Sequence, residues 1–333
     1  MNETMNETMN ETMKLLQIMA PGQAVWRSAP VPEPSAGEVL VKVAAVTTCP
    51  HWDLHLMSGE PMFPGRPLLY PYTPGQPGHE MTGTVVALGK GVTELAVGDR
   101  VAAWRDAGAA RQGCYAQYVP FQVEHLLIIP ADLESGEVAS LELAMCVQVS
   151  FDQLEGLAAV RNQRFAVCGL GPAGLIAVQM AHAYGAGEVI ALDPLPERRA
   201  LALQLGADRA EPPSAPQFSD QESLFDTALD CTGLAGAVEF LMDRTQRVVA
   251  LFGVLRDPVA FGFEHWRRGL HLLGYGRHNR AAAEKALALI QHREVQLAPL
   301  STFTLPLTRY AEGIEHLRSK QAVKIRFLPW AEE

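Results

Sequence analysis

Long apolar runs are missing from this sequence, and so is any excess of positive charge. No stretch reaches the ~18 apolar residues that a membrane-spanning helix requires, although 48% of the residues are hydrophobic. Lysine and arginine number 27 against 37 acidic residues, which gives a formal net charge of −10. Nucleic acids and anionic membranes are therefore not expected as the main partners. The start of the chain also lacks the basic and apolar pattern of a secretory signal peptide.

Cysteine is scarce, and the cysteines are not arranged for pairing. Their number is odd, their spacing is wide and they include no Cys-x-x-Cys pair, so we do not expect a disulfide framework. This usage is typical of a reducing compartment, and we expect a cytoplasmic protein. The five positions are Cys49, Cys114, Cys146, Cys168 and Cys231.

The 333 residues are enough for two domains of ordinary size. Residues 1–12 repeat Met-Asn-Glu-Thr three times, and residues 1–13 are expected to form a disordered tail. Between residues 14 and 147, short alternating segments and glycine-rich turns predict a β-rich, barrel-like domain. From residue 148 to about residue 279, helical and strand patterns alternate, which predicts an α/β domain with a doubly wound parallel sheet. Residues 280–333 are expected to return to the first domain.

Residues 164–193 have the order strand, glycine-rich turn, helix, strand and acid that dinucleotide-binding units share. In such a unit Gly169 permits the tight turn, and Gly174 allows the helix to pack closely on the strand. Gly171 lets the backbone approach a pyrophosphate, which then lies at the N-terminus of the helix. The predicted cofactor-binding turn is Gly169, Leu170, Gly171, Pro172, Ala173 and Gly174.

Asp193 closes the second strand of this unit, about 20 residues after the turn, where a carboxylate can accept hydrogen bonds from ribose hydroxyls. A carboxylate at this place repels a 2′-phosphate, so NAD is the expected cofactor. NADP stays open as the less favoured alternative, because Arg198 or Arg199 could bind that phosphate. The same two arginines are also typical of a solvated helix start.

Residue types that bind zinc occur in three separate segments. Cys49, His79 and Cys146 together offer two thiolates and one imidazole, which suits a tetrahedral zinc site with one open position. An open position is what catalysis requires, since zinc can then bind an alcohol oxygen or polarise a carbonyl. Each residue also has an ordinary interpretation, because a buried cysteine or a hydrogen-bonded histidine needs no metal.

In these motifs the sequence resembles the medium-chain zinc-dependent alcohol and polyol dehydrogenases. The resemblance covers nearly everything from residue 14 to residue 329. It is carried by Pro-Gly-His-Glu-Met-Thr-Gly at residues 77–83, by the glycine and valine pattern of residues 89–101, by the Gly-Leu-Gly-Pro-Ala-Gly turn, and by Gln-Ala-Val-Lys at residues 321–324. The resemblance implies a GroES-like catalytic domain over residues 14–147, a Rossmann domain over residues 148–279, and an active site in the cleft between them.

The same resemblance assigns roles to individual residues. It implies that Cys49, His79 and Cys146 bind a catalytic zinc, with Glu80 as a nearby alternative ligand. It also implies that the protein forms homodimers or homotetramers. Two further positions that resemble cofactor contacts of the family are Thr232 and Val254. Many relatives carry a structural zinc on four closely spaced cysteines, but residues 104–118 contain a single cysteine, so at most one zinc per chain is expected.

The first ligand segment departs from the family pattern. Family members usually read Cys-x-Ser/Thr-Asp-x-His, whereas residues 49–55 read Cys-Pro-His-Trp-Asp-Leu-His and are one residue longer. The relay hydroxyl therefore has no clear counterpart. His51 could instead pass protons to solvent, because imidazole titrates near neutral pH. Asp53 is expected to orient His79 as a neighbouring carboxylate.

Together these features predict a zinc-dependent oxidoreductase that transfers a hydride between NAD and a secondary alcohol or polyol. The expected partner is a small alcohol or carbonyl substrate. Two alternatives stay open. One is a zinc-free, NADPH-dependent enone, quinone or ketone reductase on the same fold. The other is a cofactor-binding protein without catalytic activity, because a fold alone does not establish a function.

Overall fold

The computed structural model describes residues 12–63, 65–106, 108–218 and 224–332. The chain divides into two compact units, the first made of Met1–Glu142 and Leu297–Glu333, the second of Leu143–Gln296. Most of the expected tail, residues 1–11, lies outside the described residues. Thr12 and Met13 belong to the first strand, which therefore begins before residue 14, where the first domain was expected to start.

The described residues form the following strands and α-helices. The strands are β1 (Thr12–Ala20), β2 (Gln23–Pro30), β3 (Glu38–Thr47), β4 (Glu80–Leu88), β5 (Arg100–Ala103), β6 (Tyr118–Gln122), β7 (Leu126–Ile128), β8 (Arg164–Cys168), β9 (Glu188–Leu192), β10 (Arg209–Glu211), β11 (Phe225–Asp230), β12 (Thr245–Leu251), β13 (His271–Leu273), β14 (Ser301–Pro306) and β15 (Lys324–Leu328). The α-helices are α1 (Pro50–Ser58), α2 (Leu141–Glu155), α3 (Pro172–Ala183), α4 (Pro196–Gln204), α5 (Ala235–Arg244), α6 (Phe263–Arg267), α7 (Arg280–Gln291) and α8 (Tyr310–Arg318).

The first unit is built on a seven-stranded sheet that runs β14-β15-β3-β4-β5-β7, with β6 also paired to β3. The valines of β3, among them Val41 and Val43, are fully buried in a core that also holds Phe327 of β15. The register places Thr47 opposite Glu80, and Arg326 of β15 also faces Thr47. The β-rich first domain is therefore confirmed, and the ends of β3, β4 and β15 meet where Glu80 lies.

The second unit contains a six-stranded sheet in the order β10-β9-β8-β11-β12-β13. Every neighbouring pair is parallel. The chain starts this sheet at β8, in the middle, and adds strands first on one side and then on the other, so the predicted doubly wound sheet is confirmed. Ligands of such sheets bind beyond the carboxyl ends of the strands, at the point where the order reverses. Here that point lies between β8 and β11.

The return to the first unit begins later than expected. Helix α7 was placed in the returning segment by the sequence, but it belongs to the second unit. Its small residues Ala282, Ala283 and Ala286 are buried, and Lys285 Nζ donates to Asp152 Oδ1 at 2.8 Å within the same unit. An alanine-rich helix can pack closely against either domain, so its pattern did not decide between them. Among the residues that the structure describes, no helix combines the length and apolar character that crossing a membrane requires.

Candidate functional site in the first unit

Cys49 lies at the start of α1, in the N-cap position. Pro50 suits the first turn because its missing N–H would have no partner there, and Gly59 ends the helix in the left-handed conformation with φ of 83°. The segment that departs from the family pattern therefore forms a short helix. The unpaired N–H groups at a helix start favour a negatively charged group such as a thiolate.

His79 lies in the turn that leads into β4. Its Nδ1 is 2.7 Å from the carbonyl oxygen of Pro77. A carbonyl can only accept, so Nδ1 carries the proton and Nε2 is left as the metal-binding nitrogen. The ligand atoms of Cys49, His79 and Glu80 all lie within 4.8 Å of one another. The structure thus brings together three of the residues that the sequence predicted for the metal site.

Glu80 is already neutralised by a lysine. Lys324 Nζ donates to Glu80 Oε1 at 2.7 Å and to Oε2 at 2.5 Å, and both side chains are almost completely buried. The hydroxyl of Thr47 also donates to Oε2, at 3.1 Å. In the sequence, Lys324 is recognisable only as part of the Gln-Ala-Val-Lys motif, and no local pattern pairs it with Glu80.

Glu142 lies beside the predicted metal ligands but was not among the residues predicted from the sequence. Its Oε2 lies 3.7 Å from Nε2 of His79, on the side where a metal would bind, and the side chains of His79 and Glu142 are only 11% and 8% exposed. Glu142 is in the first turn of α2, within an otherwise apolar segment. A carboxylate buried among apolar residues requires a partner, and that was the available signal. The acid was passed over because glutamate is also common in the first turn of ordinary helices.

Cys146 follows Glu142 by one turn of α2 but belongs to the second unit. Its Sγ is 3.4 Å from Nε2 of His278, which lies just before α7. His278 was not among the predicted residues. The role of Cys146 as a zinc ligand remains a prediction. Within the first unit, the additional carboxylate that faces Nε2 of His79 is that of Glu142.

Negative groups surround His79 on several sides. Burial favours its neutral form, but the hydrogen bond to Cys49 and the charges of Glu142, Cys49 and Glu80 outweigh that effect and raise the pKa of His79 well above its usual value. A thiol and carboxylates that surround an imidazole form the kind of environment in which a cation binds. The donor set of sulfur, nitrogen and carboxylate oxygen is one that zinc binds. The residues therefore fit a zinc ion.

The relation of Asp53 to His79 differs from the expected one. Both oxygens of the Asp53 carboxylate accept hydrogen bonds from the hydroxyl of Tyr115, at 2.9 and 3.0 Å, and Oδ1 also accepts from Tyr310 at 2.8 Å. The ring of His79 is instead oriented by Pro77. The expectation that Asp53 orients His79 by a hydrogen bond is thus corrected, because a main-chain carbonyl two residues away already occupies Nδ1.

Burial raises the pKa of Asp53 to about 6, although the hydrogen bonds from Tyr310 and Tyr115 work in the opposite direction. Because the folded protein then holds this proton more tightly than the unfolded chain does, the stabilisation is complete below pH ~4 and is lost as the pH rises through about 6. In zinc-free protein, we expect the stability of the wild type relative to Asp53→Asn to fall by at most about 3 kcal/mol between pH 4 and 7.5. Urea unfolding of both proteins across this range measures the difference, and parallel pH curves would contradict the prediction.

His51 is exposed in the first turn of α1. Its ring stacks on that of His55, with centroids 5.4 Å apart and planes at 9°. His55 is one helical turn further on, and its Nδ1 lies 2.9 Å from the carbonyl oxygen of Glu60. The two imidazoles therefore form a column on the outer side of the helix that starts at Cys49. The proposed passage of protons through His51 stays a prediction.

The dinucleotide turn of the second unit

Gly169 and Gly174 of the turn after β8 have the structural roles that the sequence predicted. Gly169 has φ of +88°, and a Cβ there would lie 2.6 Å from the side chain of Thr232. A Cβ at Gly174 would lie 1.9 Å from the carbonyl oxygen of Gly169, so α3 can pack this closely only on a glycine. A Cβ at Gly171 would meet no atom within 4 Å. The space beside the start of α3 is thus left open, as a pyrophosphate would require.

Asp193 contacts the turn directly. Its Oδ2 accepts the N–H of Leu170 at 2.8 Å, and its Oδ1 accepts the N–H of Leu195 at 2.8 Å. A carboxylate can accept about four hydrogen bonds, so these two leave capacity for ribose hydroxyls. Arg199 donates to the carbonyl oxygens of Asp193 and Pro194. The guanidinium of Arg199 therefore supports the backbone of this loop. Arg198 is half-buried, and this burial lowers the pKa of its guanidinium.

Thr232 lies in the turn after β11, beside the glycine-rich turn. Asp230, at the end of β11, accepts hydrogen bonds from the Thr232 hydroxyl at 2.6 Å and from the Gly233 N–H at 2.9 Å. Gly233 has φ of +67°, and a Cβ there would lie 2.4 Å from the carbonyl oxygen of Val254. The structure therefore brings Thr232 and Val254 to the carboxyl end of the sheet, at the point where its strand order reverses.

Two family models match the chain, one in each part. The alcohol dehydrogenase GroES-like domain matches residues 35–131, and the zinc-binding dehydrogenase model matches residues 172–292. L-threonine 3-dehydrogenase of Bacillus subtilis (strain 168) is 27% identical over 339 residues, covering 92% of this chain and 95% of that protein. An alcohol dehydrogenase of Geobacillus stearothermophilus is 35% identical over 202 residues, covering 53% of this chain and 56% of that protein.

Among solved structures, a protein described as a zinc-binding dehydrogenase from Sinorhizobium meliloti 1021, bound to NADP, is similar with a TM-score of 0.84. It is 25% identical, and the match covers 96% of this chain and 100% of that one. The two family models occur in the order of the two units, and the threonine dehydrogenase match extends over both. The chain belongs to the medium-chain zinc-dependent dehydrogenase family and is an oxidoreductase of that family.

Proposed function

We propose that this protein is a zinc-dependent dehydrogenase that transfers a hydride between NAD and a secondary alcohol or polyol-type substrate. The observation that carries the proposal is the convergence of Cys49, His79 and Glu142 in the first unit. The ligand atoms of Cys49 and His79 lie within 4.8 Å of each other, and Oε2 of Glu142 lies 3.7 Å from Nε2 of His79. These three side chains would hold the zinc.

When bound, zinc supplies Lewis-acid chemistry, which favours the ionised form of an alcohol or polarises a carbonyl. The surrounding residues prepare the site for this task. Pro77 fixes the ring of His79 so that Nε2 faces the other ligands. Lys324 neutralises Glu80 and holds both of its oxygens. We therefore assign Glu80 to the support of the site and Glu142 to the third ligand position, in place of Cys146.

The nicotinamide cofactor supplies the hydride chemistry, and the second unit provides the groups that bind and orient it. The open space at Gly171 and the N-terminus of α3 suit the pyrophosphate. Asp193 suits the ribose hydroxyls of NAD, and its charge disfavours a 2′-phosphate. The structural relative from Sinorhizobium meliloti was solved with NADP, so preference for NAD over NADP is a part of the proposal that requires its own measurement.

The names of the relatives support the proposed substrate class. Their names refer to L-threonine 3-dehydrogenases and alcohol dehydrogenases, which act on hydroxyl-bearing substrates. An enzyme of that kind needs a route for the hydroxyl proton. His51 is the exposed titratable group at the start of the helix that carries Cys49, and we propose that it exchanges this proton with solvent.

The test combines metal analysis with cofactor-specific assays. Purified protein is expected to contain about one zinc per chain. We expect it to reduce NAD in the presence of at least one member of a panel of secondary alcohols, vicinal diols, polyols and L-threonine, with a higher kcat/KM for NAD than for NADP. Removal of zinc by a chelator is expected to abolish turnover, and addition of zinc is expected to restore it.

Other results would favour the alternatives. Zinc-free protein that reduces enones or quinones with NADPH would contradict the proposal and identify a zinc-free reductase. Zinc-loaded protein that binds NAD but turns over none of the alcohols or the corresponding carbonyls would favour a cofactor-binding protein without activity. A preference for NADP with otherwise normal turnover would contradict only the assignment of Asp193.

A further inference from the structure

A buried cluster beside the metal site joins three segments that are far apart in the sequence. Its centre is the carboxylate of Asp53, which is completely buried. Tyr115 comes from the segment before β6, and Tyr310 is the first residue of α8. The two phenol hydroxyls donate three hydrogen-bond contacts to the carboxylate, at distances between 2.8 and 3.0 Å.

Asp53 is rigidly connected to Cys49. The N–H of Asp53 donates to the carbonyl oxygen of Cys49 at 2.9 Å, which is the first hydrogen bond of α1. A side chain that is held at Asp53 therefore fixes the rotation of the first helical turn. That rotation decides where the thiol of Cys49 points, because the cap residue directly precedes this turn.

Tyr115 also contacts the turn that carries His79. Its N–H donates to the carbonyl oxygen of Gly75 at 3.0 Å, and a Cβ at Gly78 would lie 2.6 Å from the Tyr115 nitrogen. Only glycine permits this approach. Tyr115 thus supports the segment of one predicted ligand with its backbone and anchors the helix of another with its hydroxyl.

The tyrosine rings cannot easily move. Tyr115 and Tyr310 pack edge to face with centroids 5.3 Å apart, and both contact Phe327, at 5.9 and 5.5 Å. All three rings are at most 1% exposed. Aromatic pairs of this geometry contribute more stabilisation than the apolar area they bury accounts for. The packing of the rings therefore holds the two hydroxyls in fixed positions.

We propose that Tyr115, Tyr310 and Asp53 form a clamp that sets the position of Cys49 relative to His79, and that the two tyrosines are positioning residues for the metal site. The inference rests on the proposed function, because the position of Cys49 relative to His79 matters in this way only if the two residues bind a metal. In this proposal the carboxylate of Asp53 positions helix α1 and does not orient the imidazole of His79.

The test uses Tyr310→Phe and Tyr115→Phe, which keep the rings and remove the hydroxyls. The control is Tyr70→Phe, since the hydroxyl of Tyr70 also binds α1, through the carbonyl oxygen of Leu56 at 2.6 Å, but does not touch Asp53. Zinc affinity is measured by competition with a chelator. The geometry of the site is measured from the visible spectrum of the cobalt-substituted protein. A variant that only lowers the stability of the fold would leave this spectrum unchanged.

We expect zinc affinity to fall by about 10- to 100-fold in each of the two clamp variants, as for other groups that orient metal ligands. We also expect altered cobalt spectra in these two variants, while Tyr70→Phe stays within about threefold of the wild type. Wild-type affinity and spectrum in Tyr310→Phe and Tyr115→Phe would overturn the clamp and leave the proposed function intact. Wild-type protein that binds neither zinc nor cobalt would overturn the proposed function and the clamp with it.

Discussion

Replacing Glu142 with glutamine is expected to remove most of the bound zinc and to lower kcat by about three orders of magnitude. The reason is the position of its Oε2, 3.7 Å from Nε2 of His79 inside a buried site. Glutamine keeps the shape of the side chain but offers only a neutral oxygen to the metal. Loss of a Lewis acid that stabilises charge by several kcal/mol corresponds to roughly a thousandfold in rate. Zinc content and steady-state kinetics with NAD and the best alcohol measure both effects.

The matched control is Cys146→Ala on the same helix. Because the three proposed ligands Cys49, His79 and Glu142 are unchanged in this variant, we expect it to retain zinc. If Cys146→Ala instead loses its zinc while Glu142→Gln keeps it, the third ligand is the thiol that the sequence suggested, and the assignment of Glu142 is wrong. Equal loss in both variants would mean that the two side chains share the site.

The sequence predicted the second unit well because local patterns determine it. Most strands of its parallel sheet are short apolar runs, with β10 (Arg209–Glu211) as the polar exception, and the glycine-rich turn allows only one backbone conformation. Gly174 shows this, since a side chain there would overlap the carbonyl oxygen of Gly169. Such constraints act within a few residues and can be read from the sequence. Cys49 and His79 were predicted to lie together because the motifs around them resemble those of the family, and the structure places their ligand atoms within 4.8 Å of each other.

The remaining parts of the site depend on contacts between distant segments. Lys324 and Glu80 are 244 residues apart and pair only because β15 and β4 both flank β3. Likewise, Tyr310 reaches Asp53 from a helix at the other end of the chain. Tyrosines in an apolar pattern predict a core equally well with or without a polar partner. Without the fold, Asp53 was therefore assigned to His79, its expected neighbour in the family.

Replacing Lys324 with methionine is expected to destabilise the first unit by about 3–5 kcal/mol. The substitution leaves the carboxylate of Glu80 buried, with only the hydroxyl of Thr47 as a hydrogen-bond donor among the contacts described above. An uncompensated buried charge of this kind costs several kcal/mol, whereas replacing both members of a buried pair is often nearly neutral. Urea unfolding of zinc-free protein, followed by tryptophan fluorescence, measures the loss. Four of the five tryptophans, Trp26, Trp52, Trp104 and Trp330, lie in the first unit, and the fifth, Trp266 of the second unit, is already exposed in the folded protein.

Two further variants separate the charge effect from the loss of a lysine. Lys90→Met removes an exposed lysine of the same unit and is expected to change the free energy of unfolding by less than about 0.5 kcal/mol. The double variant Glu80→Gln/Lys324→Met leaves two neutral side chains and is expected to recover most of the stability lost in Lys324→Met. A double variant as unstable as the single one would show that Lys324 acts through packing of its aliphatic chain. In that case, neutralisation of Glu80 would not be the reason for a lysine at the start of β15.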